Sequence, residues 1–141
     1  MHLAAVLQQK GKEIVQVYSS NSNNRQLFAK KFSCQAADNL SSIDPKSDLY
    51  IIAIPDDQIV EVMKVFPNVG GIVVHTSGFT SIKVLDKMKH FGVIYPLQTF
   101  TRNIEIDWQK IPICIESSDK LVGQMLEKLT LEICEKIVSL T

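Results

Sequence analysis

Apolar positions along the chain follow two repeating patterns, and their order predicts alternating strands and helices. Apolar residues recur at helical spacing in five segments, at residues 1–10, 22–32, 56–66, 80–90 and 119–133. Short runs rich in β-branched and aromatic residues predict seven strands, at residues 13–18, 34–37, 48–54, 71–74, 93–95, 113–115 and 136–140. This alternation is typical of an α/β fold with a parallel sheet and right-handed crossovers.

The predicted helices have start signals and apolar faces. Ser22, Thr80 and Asp119 are placed to cap three of them, and we interpret Asp56 and Asp57 as helix-capping residues rather than catalytic acids. These helices are expected to bury one apolar face each, formed by Leu27, Phe28, Phe32, Ile59, Val62, Met63, Phe66, Ile82, Leu85, Met88, Leu121, Val122, Met125, Leu126, Leu129 and Ile133.

The predicted sheet tells us where a ligand would bind. The continuous apolar run at residues 48–54 suits a parallel strand that helices cover on both faces. In such sheets ligands bind outside the carboxyl ends of the strands. The rule directs attention to residues 18–20, 54–56, 75–78 and 96–99 as parts of one crevice.

Composition and charge narrow the classes of function. The 141 residues suit one domain, and lysine plus arginine equals aspartate plus glutamate at 15 each, so no charge pattern indicates nucleic acid or a membrane surface. The longest apolar runs are too short for a membrane span, and the first residues do not resemble a signal peptide. Cys34, Cys114 and Cys134 lack metal-ligand spacing, which favours reduced thiols in a cytoplasmic protein.

Four segments carry a resemblance to a known family: "QQKGKEIVQVYS", "DLYIIAIPDD", "VVHTSG" and "GVIYPLQTF". Over essentially its whole length the chain resembles the Rossmann-like oxidoreductases in which an NADP-binding domain precedes a helical domain of unknown function. These are relatives of pyrroline-5-carboxylate reductase and prephenate dehydrogenase. The resemblance implies a Rossmann-like parallel sheet with flanking helices, NADP as cofactor with NAD as the alternative, an unknown small-molecule substrate and a homodimer in the full-length family.

The chain departs from this family at both ends. The family begins with a strand and a Gly-x-Gly-x-x-type turn that lets the backbone approach a pyrophosphate, and neither is found before the helix at residues 1–10. We therefore expect residues 1–141 to be a truncated NAD(P)-binding Rossmann-like domain, inactive alone, that arose from a misassigned start or a shortened gene. The absent strand would lie between those at 13–18 and 48–54, so we expect open strand edges, poor stability and self-association.

The strand-end rule and the resemblance together assign cofactor contacts to Ser19, Ser20, Asn21, Arg25, Ile54, Pro55, Thr76 and Gly78. The loop after residue 18 contains no acid that would favour NAD, whereas hydroxyl and positive groups suit the 2′-phosphate of NADP. The family often has an arginine where this chain has Ser20, and Arg25 is the candidate substitute one helical turn away. The alternative is a polar loop that only caps the next helix.

His75, Ser77 and Gln98 are the candidate catalytic residues. A histidine at a strand's carboxyl end can donate a hydrogen bond or a proton during hydride transfer, because its pKa lies near neutrality. Ser77 and Gln98, with Thr99 beside it, would position the substrate. The alternative is a histidine that only satisfies loop carbonyls.

The hypothesis is hydride transfer between a nicotinamide dinucleotide and a small substrate, and it has two rivals. One is a non-catalytic domain that senses a dinucleotide or serves as a scaffold. The other is an inactive gene fragment. Binding of NADPH separates the fragment from the other two, and turnover separates the enzyme from the sensor.

Overall fold

The computed structural model describes residues 2–98 and 105–140. Its α-helices are α1 (His2–Gln9), α2 (Ser22–Phe32), α3 (Asp56–Val65) and α4 (Lys120–Leu131). Its strands are β1 (Gln16–Val17), β2 (Gln35–Ala36), β3 (Leu49–Ile52), β4 (Ile72–His75), β5 (His90–Pro96), β6 (Ile113–Ser117) and β7 (Ile137–Ser139). Among the helices in this part of the chain, none combines the length and apolar character that a membrane span requires.

The main sheet has five strands in the order β3-β4-β5-β6-β7. All neighbours are parallel except β5 and β6, which run antiparallel. The predicted α/β, Rossmann-like fold with flanking helices is confirmed, but the expectation of a wholly parallel sheet is wrong for this pair. Two parallel neighbours must be joined by a long connection, usually a helix, that returns the chain to the starting edge of the sheet. The described part of the β5–β6 connection contains only the 3-10 turn Trp108–Lys110, so β6 runs antiparallel to β5.

Strands β1 and β3 belong to separate sheets. Parallel β1 and β2 form a two-stranded sheet, and β3 hydrogen-bonds only to β4. The Gln16 side chain of β1 bonds to the segment that precedes β3: it donates to the Ser42 carbonyl at 3.1 Å and accepts from the Asp44 amide at 2.8 Å. Within the described residues, β1 and β3 are therefore not paired with each other.

Helices cover both faces of the main sheet. On one face, α1 and α4 bury Val6, Leu7, Val122 and Leu126 against the sheet. On the other face, α3 and the 3-10 turn Ile82–Leu85 complete the core with Ile59, Met63 and Leu85 against Tyr50, Ile52 and Val73. Burial on both faces explains the continuous apolar run at β3.

The segment predicted as a helix at residues 80–90 is largely not helical. A 3-10 turn of four residues, Ile82–Leu85, is capped by Ser81 rather than Thr80, and the Ser81 Oγ accepts from the Lys83 amide at 3.1 Å. Strand β5 already begins at His90, three residues earlier than predicted, because His90 and its neighbours pair with β4. Tertiary pairing has overridden a helical apolar pattern, although Leu85 and Met88 are buried as expected.

Helix starts follow the sequence only in part. Asp119 caps α4 as predicted, accepting from the Val122 amide at 2.9 Å. Asn21, not Ser22, caps α2, with its side chain accepting from the Asn24 amide at 3.0 Å. Pro55 occupies the N-cap position of α3, so the expected capping by Asp56 and Asp57 is wrong. They lie in the first turn of the helix, where negative charge is favourable.

The buried helix faces are narrower than the apolar stripes. Leu27, Leu121 and Met125 are 61%, 62% and 53% exposed, contrary to prediction. Each lies on a helix with a sheet on one side only, so the outer edge of its stripe reaches solvent. The residues in the centre of the stripe, such as Leu126 at 1% exposure, form the core.

Leu126→Ala is expected to lower the free energy of unfolding by about 2–5 kcal/mol, because it removes buried methyl groups and leaves a cavity. Met125→Ala, at the adjacent exposed position of α4, is the matched control and should change stability by less than about 1 kcal/mol. Urea denaturation of the two variants beside the parent chain measures both. Equal losses would show that the buried face of α4 is assigned wrongly.

Candidate functional site

The carboxyl ends of β3, β4 and β5 meet at one edge of the sheet, because the three strands are parallel. This edge carries residues 53–55 after β3, residues 76–78 after β4 and residues 97–98 after β5. In open α/β sheets this is the edge at which ligands bind. The structure thus brings three of the four predicted segments together. The fourth follows β1, in the smaller sheet.

His75 is the last residue of β4 and is completely buried, at 0% exposure. Its Nδ1 accepts a hydrogen bond from the Ser77 amide at 3.1 Å. A neutral imidazole that accepts at Nδ1 carries its proton on Nε2. That Nε2 has no hydrogen-bond partner among the described residues.

Ser77 organises the turn that follows β4. Its Oγ accepts from the Phe79 amide at 3.1 Å and the Thr80 amide at 3.0 Å. The Ser77 hydroxyl also lies 3.1 Å from the Thr80 Oγ1, to which it can donate. One donor and two acceptor sites are all that a hydroxyl offers, so every hydrogen bond that Ser77 can make is already used within the turn.

Burial lowers the pKa of His75 below its usual value of 6.5. Loss of solvation is the largest cause, because it penalises the charged imidazolium. The Ser81 and Thr80 main chains and the carboxylates of Asp56 and Glu116 act in the opposite direction without cancelling it. His75 is therefore neutral at neutral pH. Of the two roles considered for it, this burial favours the histidine that holds the turn, and its role as proton donor stays a prediction.

Gly78 allows the turn to lie against Tyr95. A Cβ added at Gly78 would come within 2.4 Å of the Tyr95 ring, so this position has no room for a side chain unless the ring moves. Gly78 itself is exposed, and Thr76 is half-buried. The backbone at Gly78 is thus open to a ligand from the side opposite Tyr95.

Gln98 lies exposed just after β5, at the same edge as His75. Among the described residues, no hydrogen bond joins its side chain to the Ser77 turn. Thr99, predicted to act beside it, lies outside the described residues. Sequence order therefore places Gln98 at the correct edge, and its role in positioning a substrate remains a prediction.

The loop after β1 is held by Arg25. Its Nη1 donates to the Ser19 carbonyl at 2.9 Å, and the Ser19 Oγ accepts from the Asn21 amide at 3.3 Å. The Asn21 side chain is used as the α2 cap, whereas Ser20 is exposed. The Nε of Arg25 is buried and lacks a partner among the described residues. Both readings of this loop, a helix cap and an anion site, therefore have support.

One residue of the site, Glu116, was not identified from the sequence. Tyr95 and Glu116 line a cavity beside the Ser77 turn, together with Thr80. Tyr95 and Glu116 lie on neighbouring antiparallel strands, and their approach depends on the β5–β6 register. The alternation of side chains along each strand can predict which face of the sheet each residue occupies. It cannot predict which residues of β5 and β6 lie opposite each other.

These features define a nucleotide-binding type of α/β domain, and the comparison with known families agrees. Residues 1–100 match the Rossmann-like domain family, so the chain belongs to this family. A search of curated proteins gives no match.

Solved oxidoreductase structures resemble the chain along nearly its whole length. A "putative NADP oxidoreductase" from Bacteroides fragilis is 28% identical with a TM-score of 0.89, over 99% of this chain and 55% of that one. A prephenate dehydrogenase from Aquifex aeolicus is 10% identical with a TM-score of 0.80, over 99% and 57%. A pyrroline-5-carboxylate reductase from Coxiella burnetii is 10% identical with a TM-score of 0.69, over 100% and 56%.

The chain thus spans about half the length of these structures. The family resemblance stated from the sequence is confirmed. The two matches at 10% identity show the fold alone.

A dinucleotide fits the described residues at its two ends. The unpaired Arg25 Nε beside an acid-free loop suits a ribose phosphate, and the open backbone at Gly78 and at exposed Pro55 suits a flat ring and a ribose. The pyrophosphate in the middle of a dinucleotide has no such site, because the 141 residues contain no Gly-x-Gly turn.

The buried neutral His75 makes stability depend on pH. The unfolded chain takes up a proton below about pH 6.5, whereas folded His75 does so only at lower pH. The free energy of unfolding should therefore fall as pH decreases below about 6.5 and level off below the folded pKa. His75→Asn, whose Oδ1 can still accept from the Ser77 amide, should lack this component. Urea denaturation between about pH 5 and pH 8 compares the two, and identical pH profiles would contradict the assignment.

Proposed function

We propose that this chain is the dinucleotide-binding domain of a nicotinamide-dependent oxidoreductase that uses NADP(H). The observation that carries the proposal is the acid-free loop after β1, where Arg25 holds Ser19 and keeps a buried Nε without a partner. Similarity to the "putative NADP oxidoreductase" of Bacteroides fragilis supports the same cofactor.

The adenosine end of the cofactor would bind at the loop 19–25. Arg25 has five N–H donors, of which Nη1 is used on Ser19, so further donors remain for a 2′-phosphate. The N-terminal end of α2 adds positive potential, and its first turn contains no acidic residue. Ile54 and Pro55 would pass along a ribose at the end of β3.

The nicotinamide end would bind at the turn after β4. When bound, the nicotinamide supplies or accepts the hydride. The residues of this chain bind and orient it: Thr76 and Gly78 provide backbone contacts, and His75 and Ser77 fix the turn. Gln98 would position the substrate at the end of β5.

A second candidate, a dinucleotide-binding domain without turnover, is favoured by the burial of His75 and the fully used Ser77 hydroxyl. Neither group is free to exchange a proton with a substrate in the arrangement described. The inactive fragment is the remaining alternative. Oxidation of NADPH in the presence of carbonyl and imine compounds distinguishes the enzyme from the sensor, and absence of any saturable NADPH binding favours the fragment.

Arg25→Ala is expected to weaken NADPH binding about ten-fold or more while leaving NADH binding unchanged, because only NADPH carries the 2′-phosphate. Lys30→Ala removes one positive charge farther along α2 and serves as the control for net charge. Titrations followed by nicotinamide fluorescence give the dissociation constants. Equal losses for the two cofactors would mean that Arg25 only braces the loop, and no loss for either would remove it from the site.

A further inference from the structure

A small cavity opens beside the Ser77 turn, and Gly78, a proposed nicotinamide contact, also lines it. Its volume is about 70 Å³. Its polar wall is formed by Ser77, Thr80, Tyr95 and Glu116, and Val93 and Leu140 form part of its apolar wall.

The sheet register explains why these groups meet. Val93 of β5 pairs with His75 of β4 on one side and with Glu116 of β6 on the other. Directly opposed residues point to the same face of a sheet, and adjacent strands are about 4.8 Å apart. Glu116 is therefore two strands, roughly 10 Å, from His75 on the same face. Tyr95 lies two residues nearer the carboxyl end of β5.

Glu116 is a half-buried carboxylate with no counter-charge among the residues that the structure describes. The three ion pairs found there join other carboxylates to Lys12, Lys64 and Lys110. A carboxylate that lines a cavity without an ion-pair partner attracts a bound cation. Neutral His75 contributes no opposing charge to this face.

The remaining groups at the cavity suit a nitrogen cation. The Tyr95 hydroxyl and the Thr80 Oγ1 can accept N–H hydrogen bonds, and the Tyr95 ring offers a face to a cation. A cavity of about 150 Å³ holds benzene, so one of 70 Å³ holds a head group of a few heavy atoms. Exposed apolar side chains, Phe79 at 90% and Leu140 at 50%, flank the region and would contact an alkyl chain.

We infer that this cavity binds the ammonium or iminium group of a small aliphatic amine, with Glu116 as its counter-charge. The inference deepens the proposed function and rests on it only in naming this amine as the substrate class. The site itself requires no dinucleotide.

Propylammonium, propanol and propionate are matched probes that differ in charge. In the ¹⁵N- and ¹³C-labelled full chain without dinucleotide, propylammonium should shift the Gly78 and Thr80 amides and the side-chain carboxyl carbon of Glu116. Propanol and propionate should not. The isosteric variant Glu116→Gln should bind propylammonium about ten-fold more weakly or worse, whereas Glu135→Gln, which removes an exposed carboxylate elsewhere, should bind it normally.

No propylammonium shift at these positions, equal shifts with propanol, or unchanged binding in the folded Glu116→Gln variant would overturn the inference. If that variant does not fold, the test uses the wild-type chain. Propylammonium must then shift the side-chain carboxyl carbon of Glu116 and leave that of Glu135 unchanged. NADPH binding is measured separately. Failure of the amine site and failure of the cofactor proposal are therefore distinguishable.

Discussion

Parallel pairing of β3, β4 and β5 is the constraint on which the site depends. Register fixes Ile52 opposite His75 and His75 opposite Val93, so the three strands end at one edge and their following segments meet there. A one-residue slip of β4 would turn His75 to the other face and move the Ser77 turn away from β5. All four residues of β4 are buried, and His75 is the one polar side chain among them.

Unpaired buried nitrogens indicate where the fold leaves polar groups for a ligand. Three side-chain nitrogens lack partners within the described residues: Arg25 Nε, His75 Nε2 and His90 Nδ1. Two of them adjoin the loops that follow β1 and β4, and His90 lies at the start of β5, away from the carboxyl edge. Buried polar groups are normally hydrogen-bonded, so the Arg25 Nε is consistent with a contact that a ligand completes. The burial of His75 assigns it to shaping the turn more readily than to proton exchange.

Local sequence patterns were sufficient to predict most of the fold and the part of the site formed by the turn after β4. β-branched runs located the strands, and the strand-end rule located His75, Gly78 and the loop at Ser19. Patterns failed where tertiary pairing decided the outcome. Residues 82–88 have helical spacing, yet the pairing of His90 with β4 leaves room only for a 3-10 turn. Glu116 was missed because its approach to Tyr95 depends on the antiparallel β5–β6 register, which no single strand encodes.

The central claim is that the loop after β1 and the turn after β4 bind the two ends of a single dinucleotide. Amide chemical shifts of the full chain, titrated with NADPH and with its two halves, test it most directly. Adenosine 2′,5′-bisphosphate should shift only amides of residues 19–25, reduced nicotinamide mononucleotide only those around Gly78, and NADPH both sets together. Shifts from NADPH that are confined to one set, or that fall elsewhere on the sheet, would contradict the account.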